Sequence, residues 1–196
     1  MKLRTKVIAG LAASFSFSGV WADATPEECA ESVENFRSIS SNVGEMLDSA
    51  YGYAVLPTIG KGGLGIGGAA GSGCVYAGGQ QTGTTKMGQV TIGFQAGGQA
   101  YSQIILLEDK EAYDKFTTGE FEFGATASAV ALTASAQAET GTKGTQASAG
   151  VSEESSGGKA AGYTGGMAIF TVAKGGLMYE ASIGGQKFGY EPLGGE

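Results

Sequence analysis

The sequence predicts one α+β domain, in which an N-terminal amphipathic helix packs on a strongly coiled, glycine-rich antiparallel β structure with one further short helix. Two periodicities predict this class. Apolar residues recur at helical spacing as far as residue 50, and from Tyr51 onward they alternate as in strands. Glycine makes up 36 of the 196 residues, and so much glycine within strands indicates coiling, bulges or close backbone approach. A chain of this length can bury a core as a single domain.

The helix is predicted over residues 23–50. Thr25 suits the N-cap, Pro26 the first helical position, and Glu28 completes a capping box. The apolar stripe of the helix consists of Cys29, Val33, Phe36, Val43, Leu47 and Ala50. We expect the stripe to pack on the rest of the domain. The alternative, a helix lying on a membrane surface, is disfavoured because Arg37 is the one cation on an otherwise acidic polar face.

Six segments after residue 50 have strand character and are separated by glycine turns. They are YGYAVLPTIG, LGIGGAAGSGCVYAG, GQVTIGFQAGGQAYSQIILLE, FEFGATASAVALTASA, GGMAIFTVAKG and GLMYEASIGGQKFGYE. A short helix is predicted at 108–116, with acidic residues at its start and Gly119 beyond its end. Residues 137–162 contain Val151 as their one large aliphatic residue and no aromatic residue, which predicts a mobile loop.

Residues 1–22 have the features of a secretory signal peptide. Lys2, Arg4 and Lys6 precede an apolar run that ends in small residues at Ala22. A membrane anchor is the alternative, but the apolar run is short and interrupted by serines. We therefore expect export to the periplasm or to the periplasmic face of a membrane, with 23–196 as the mature domain.

The charge of the mature chain restricts its partners. The sequence carries 12 basic and 19 acidic side chains, and the predicted signal peptide holds three of the basic ones and none of the acidic ones. The mature chain therefore has 9 basic and 19 acidic side chains, a net charge of −10. Such a chain should repel nucleic acid, and it should bind an anionic membrane only where its cations cluster.

Two cysteines, Cys29 and Cys74, are the only thiols in the sequence. Export would place them where disulfides persist, so one bridge is possible. The alternative is that both are small buried apolar residues.

The sequence indicates no enzyme, cofactor or metal site. Histidine is absent, which excludes Ser-His-Asp and Cys-His catalysis and histidine metal ligands. Residues 63–68 match G-x-G-x-x-G, but no helix is predicted after them, and 60–62 lacks the spacing of a phosphate-binding loop. The acidic residues of 108–122 are typical of a solvated charged face.

Several motifs in sequence order resemble the SYLF domain, a lipid-binding module of eukaryotic endocytic proteins and exported bacterial proteins. They are Gly52-Tyr-Ala-Val55 with Pro57, Gly60-Lys-Gly-Gly63, Gly93-Phe-Gln95 with Gly97-Gly-Gln99, and Phe121-Glu-Phe-Gly-Ala125. The resemblance covers residues 30–190.

The resemblance implies binding of anionic lipid without catalysis, through basic residues and an amphipathic helix. Eukaryotic members bind phosphoinositides or phosphatidic acid, and one yeast branch also binds actin. Lys61 lies in a family motif and Lys174 leads a matching Gly-Gly turn, while Lys159 and Lys187 are added as neighbours in sequence. We expect a non-enzymatic lipid-binding protein of the bacterial envelope that recognises anionic lipid or phospholipid headgroups. The alternative is an envelope protein that binds another protein or a cell-wall component.

Overall fold

A computed structural model of the chain describes residues 23–124, 129–132, 162–174 and 183–194. The predicted signal peptide and the predicted loop up to residue 161 lie outside these ranges. The described residues form three helices, which are α1 (Pro26–Ile39), α2 (Ser41–Ser49) and α3 (Lys110–Phe116). They also form six strands, which are β1 (Gly52–Ala77), β2 (Gln80–Leu107), β3 (Glu120–Glu122), β4 (Val130–Leu132), β5 (Met167–Lys174) and β6 (Lys187–Pro192).

The strands belong to one mainly antiparallel sheet, so the fold class is α+β. The strand order is β3-β6-β2-β5-β4, in which β6 and β5 pair with different parts of β2. β1 is outside this order and pairs with β2 from Gln80 to Leu107. Among the described strands, β4 and β5 form the one parallel pair. A helix at 110–116 agrees with the short helix that the sequence predicts between strands.

The N-terminal helical region is broken in two, whereas the sequence predicts one helix. Its start has the predicted capping box: Thr25 Oγ1 accepts from the Glu28 amide at 3.2 Å, and Glu28 Oε2 accepts from the Thr25 amide at 2.9 Å. The break lies at Ser40, which is extended and accepts from the Val43 amide at 3.4 Å as the N-cap of α2. A serine that caps a second helix competes with continuation of the first.

β1 and β2 form one long hairpin, where the sequence predicts several shorter strands. Pairing runs from Gly52 opposite Leu107 to Ala77 opposite Gln80. The turn uses Gly78 at a φ of 58° and Gly79 at 78°, conformations that favour glycine. The pairing continues through the predicted glycine turn at residues 61–63, although its register shifts between Leu56 and Ile59 and between Gly63 and Gly65.

This hairpin folds back on itself at a segment that we call the glycine bend, residues 62–68 of β1 and 90–98 of β2. The register shifts there, between Gly63 and Gly65. On either side of the bend, the two arms of β1 touch backbone to backbone. A Cβ at Gly71 would lie 2.6 Å from the Thr58 carbonyl oxygen, and one at Gly73 would overlap the Val55 carbonyl. β5 and β6 pair with β2 on opposite sides of the bend.

Two buried apolar clusters hold the sheet and helices together. Alternation along the strands sends Leu56 and Ile105 into one cluster, which α3 also enters, and Val55 and Ile104 into the other. The second cluster contains the apolar stripes of the N-terminal helices, including Cys29, Val33, Phe36, Val43 and Leu47. Cys29 is bonded to Cys74 of β1, with Cα atoms 6.2 Å apart. α1 is therefore attached to the sheet by packing and by a disulfide.

A buried polar group lies within the first cluster. Gln103 and Gln186 exchange amide hydrogen bonds of 2.9 and 3.2 Å, and Gln186 Nε2 also donates to the Tyr101 hydroxyl at 3.2 Å. Burial raises the pKa of Tyr101 to about 12, against a smaller lowering effect of the hydrogen bond from Gln186. Since buried amides are costly unless paired, this group fixes one register between β2 and the chain leading into β6.

Candidate functional site

The glycine bend exposes two large apolar side chains. Ile66 and Val90 are 72% and 77% exposed. Ile66 is opposite Ile92 and Gly68 is opposite Val90, so Ile66 and Val90 are diagonal neighbours on one face. We call this pair the apolar patch.

The predicted lysines are distributed around the bend. Lys187 is exposed and is opposite Gly88, which places it on the strand next to Val90 and on the same face. Its Nζ lies 3.5 Å from Glu122 Oε2 in an exposed ion pair. Lys61 is half-buried at the base of the bend, opposite Gln99. Lys159 lies outside the described residues.

Lys61 and Lys174 occupy neighbouring rows of the sheet but do not share a face. Gly60, Ala100 and Lys174 form one row, and Lys61 belongs to the next. Because side chains alternate along a strand, the register points the two lysines to opposite sides. Lys174 instead donates to Thr58 Oγ1 at 2.8 Å.

Lys174 lies in a polar cleft of about 410 Å³ between α1 and an irregular part of β1. From α1 the lining residues are Glu28, Glu31, Ser32 and Asn35. From the strands they are Pro57, Thr58, Ser102 and Lys174. The pairing of β1 shifts between Leu56 and Ile59, and the Pro57 carbonyl there accepts from Ser102 Oγ at 2.8 Å. Proline lacks the donor that a regular ladder needs, which accounts for an irregularity at this point.

The cleft combines two carboxylates and one ammonium group with several hydroxyls. Ser32 Oγ is buried and has no hydrogen-bond partner among the described residues. Such a lining can bind a small polar ligand, but it contains no pairing of a nucleophile with a base. Sequence reasoning missed the cleft, because its residues come from four distant segments, in α1, β1, β2 and β5. Pro57 within a strand pattern is the one signal that could have indicated it.

The G-x-G-x-x-G motif has no site geometry. Residues 63–68 lie within β1, so no helix N-terminus follows them to receive a pyrophosphate. In the described parts of the chain, no group of three or more potential acidic or cysteine ligands could hold a metal ion. Nor is any helix in those parts both long enough and apolar enough to span a bilayer.

Comparison with known proteins shows the family. The family model described as "Las17-binding protein actin regulator" (Ysc84) matches residues 88–188, about half of the chain. The chain belongs to this family, the SYLF family, as its motifs suggest. Beta cell expansion factor A of Aeromonas veronii is 34% identical over 146 residues, which cover 73% of this chain and 47% of that protein. The chain thus spans about half the length of this curated relative.

Proposed function

We propose that this protein binds phospholipid surfaces of the bacterial envelope without catalysis, and that the glycine bend makes the contact. The observation that carries the proposal is the exposure of Ile66 and Val90, which are diagonal neighbours on one face of the glycine bend. Burying a large aliphatic side chain gains about 1.5–3 kcal/mol. Membership of the SYLF family, which is associated with lipid binding and actin regulation, supports a lipid partner.

We propose that lysine side chains next to the glycine bend contact the anionic headgroups. Lys187 flanks the apolar patch, and Lys61 stands at the base of the bend. A juxtaposed lysine contributes about 1 kcal/mol near an anionic surface. Because the predicted mature chain is strongly acidic, attraction must come from such local positions, with the apolar patch supplying the rest.

We also propose that the protein is exported, with residues 1–22 as the signal peptide. The buried disulfide between Cys29 and Cys74 supports an oxidising compartment, since disulfides are rare in reducing cytoplasm.

The test of the apolar patch is co-sedimentation with vesicles of phosphatidylcholine and an equal amount of phosphatidylglycerol. We expect the double variant Ile66→Ser, Val90→Ser to bind at least about tenfold more weakly than the wild type, because two apolar contacts are lost. Leu193→Ser is the matched control, since Leu193 is 55% exposed but far from the bend along the sheet.

Equal binding by the double variant and the wild type would remove the bend from the lipid contact. If the wild type binds none of these vesicles, the lipid proposal fails. The exposed patch would then favour the alternative of an envelope protein with a protein or cell-wall partner.

A further inference from the structure

The cleft between α1 and the irregular part of β1 carries charges of both signs. Glu28 and Glu31 form its α1 wall, and Lys174 stands on the strand side. The two carboxylates and the ammonium group leave a net charge of −1 in the cleft. A purely anionic ligand would be repelled by this charge, and a purely cationic one would leave Lys174 unmatched. A ligand with an anion at one end and a cation at the other satisfies both walls.

Hydrogen-bonding capacity remains on the strand side for an anion. Lys174 Nζ donates one N–H to Thr58 Oγ1, and its two other N–H groups can donate to a ligand. The Thr58 hydroxyl accepts in that bond, so its own proton is available. Ser32 Oγ is buried at the cleft without a partner among the described residues, and an unsatisfied buried hydroxyl costs stability unless a ligand or water binds it.

Acceptors remain on the α1 wall for a cation with N–H groups. Glu28 uses Oε2 to cap α1, which leaves its other oxygen. Glu31 is exposed one helical turn further along, and no ion pair holds it within the described residues. Both carboxylates therefore face a primary ammonium group better than a quaternary one, which has no N–H to donate.

We propose that this cleft binds a phosphoethanolamine group, with the phosphodiester on Lys174, Thr58 and Ser32 and the ammonium on Glu31. The choice of phosphate as the anion rests on the proposed lipid-binding function. The same group occurs as a phospholipid headgroup and as free glycerophosphoethanolamine, and the two sources share this chemistry. A volume of about 410 Å³ lies at the small end of ligand sites, which suits a headgroup rather than acyl chains.

The test measures headgroup selectivity. Binding is compared between vesicles of phosphatidylcholine alone and vesicles of phosphatidylcholine with an equal amount of phosphatidylethanolamine. Both lipids are zwitterionic, so the difference reports the N–H donors and not the net charge. We expect the wild type to prefer the phosphatidylethanolamine vesicles by at least about fivefold, as for loss of one charge-assisted hydrogen bond.

Glu31→Gln should abolish this preference. Glu27→Gln is the control, because it removes the same charge from the same helix outside the cleft. The Ile66→Ser, Val90→Ser variant should bind all vesicles more weakly while keeping the preference, which separates the cleft from the patch. A preference that survives in Glu31→Gln overturns the inference, whereas equal binding to both vesicle types excludes the phospholipid headgroup as the source of the ligand. Either result leaves the proposed function intact.

The soluble source is tested by titrating glycerophosphoethanolamine against glycerophosphocholine, with amide chemical shifts as the readout. Shifts at Ser32 and Thr58 with the first compound alone support the cleft even if vesicle binding fails. Absence of shifts with either compound, together with no vesicle preference, overturns it.

Discussion

Lys187 has both the position and the positive charge that contact with an anionic headgroup requires. It is the predicted lysine that shares a face with Val90 and lies on the neighbouring strand. Lys187→Gln should therefore weaken binding to vesicles containing phosphatidylglycerol by about fivefold at low salt, the equivalent of one juxtaposed charge. The measurement is co-sedimentation, and the difference should shrink at high salt because exposed charges are screened.

Lys115→Gln is the matched control, since it removes one exposed cation from α3, away from the bend. If this control weakens binding as much as Lys187→Gln does, net charge rather than position governs the contact.

Residue identities in the site were partly predictable. A family motif selects Lys61 and a matching Gly-Gly turn selects Lys174, but strand register puts these two residues on opposite faces. Register is not visible in either local sequence. The buried pair of Gln103 and Gln186 was not predictable for the same reason, because the two residues are 83 positions apart. Exposure of Ile66 also ran against expectation, since isoleucine is usually buried.

Within β1, the close approach of its two arms explains why particular glycines are required. A Cβ at Gly73 would overlap the Val55 carbonyl, a backbone group that cannot rotate away. Gly73→Ala should therefore lower the free energy of unfolding by about 1–3 kcal/mol or more, as in overpacking. The measurement is urea unfolding followed by circular dichroism.

Gly88→Ala is the control, because nothing lies within 4 Å of a Cβ there. It should leave stability within about 1 kcal/mol of the wild type. Equal unfolding midpoints for Gly73→Ala and the wild type would mean that the arms separate at little cost.

Elements differ in how far local sequence determines them. The start of α1 is determined locally, because Thr25, Pro26 and Glu28 satisfy its first turn by themselves. The length of β1 is not determined locally, because pairing with β2 continues the strand through Pro57 and the glycine bend. The glycine content predicts that backbone segments approach each other closely at some point in the sheet. Which segment lies against Gly73 depends on where the hairpin folds back, and the local sequence does not show this.

On the scale of the whole molecule, the disulfide links α1 to the part of β1 that follows the glycine bend. Cys29 and Cys74 are 45 residues apart in sequence and both are fully buried. Closing a loop of this length restricts the unfolded chain by about 4 kcal/mol in the chain-entropy model. The helices cover apolar side chains of the sheet such as Phe170, so the bond also keeps that surface covered.

Reduction should consequently lower the free energy of unfolding by about 4 kcal/mol, measured by urea unfolding with and without dithiothreitol. The reduced wild type keeps both sulfur atoms, so no cavity adds to the effect. The double variant Cys29→Ala, Cys74→Ala controls for the reductant, since its stability should not respond to dithiothreitol. If thiol titration shows complete reduction and the unfolding midpoint of the wild type does not move, packing alone holds α1 to the sheet. In that case the folded state would not require the disulfide, and the disulfide would no longer support the proposal of an oxidising compartment.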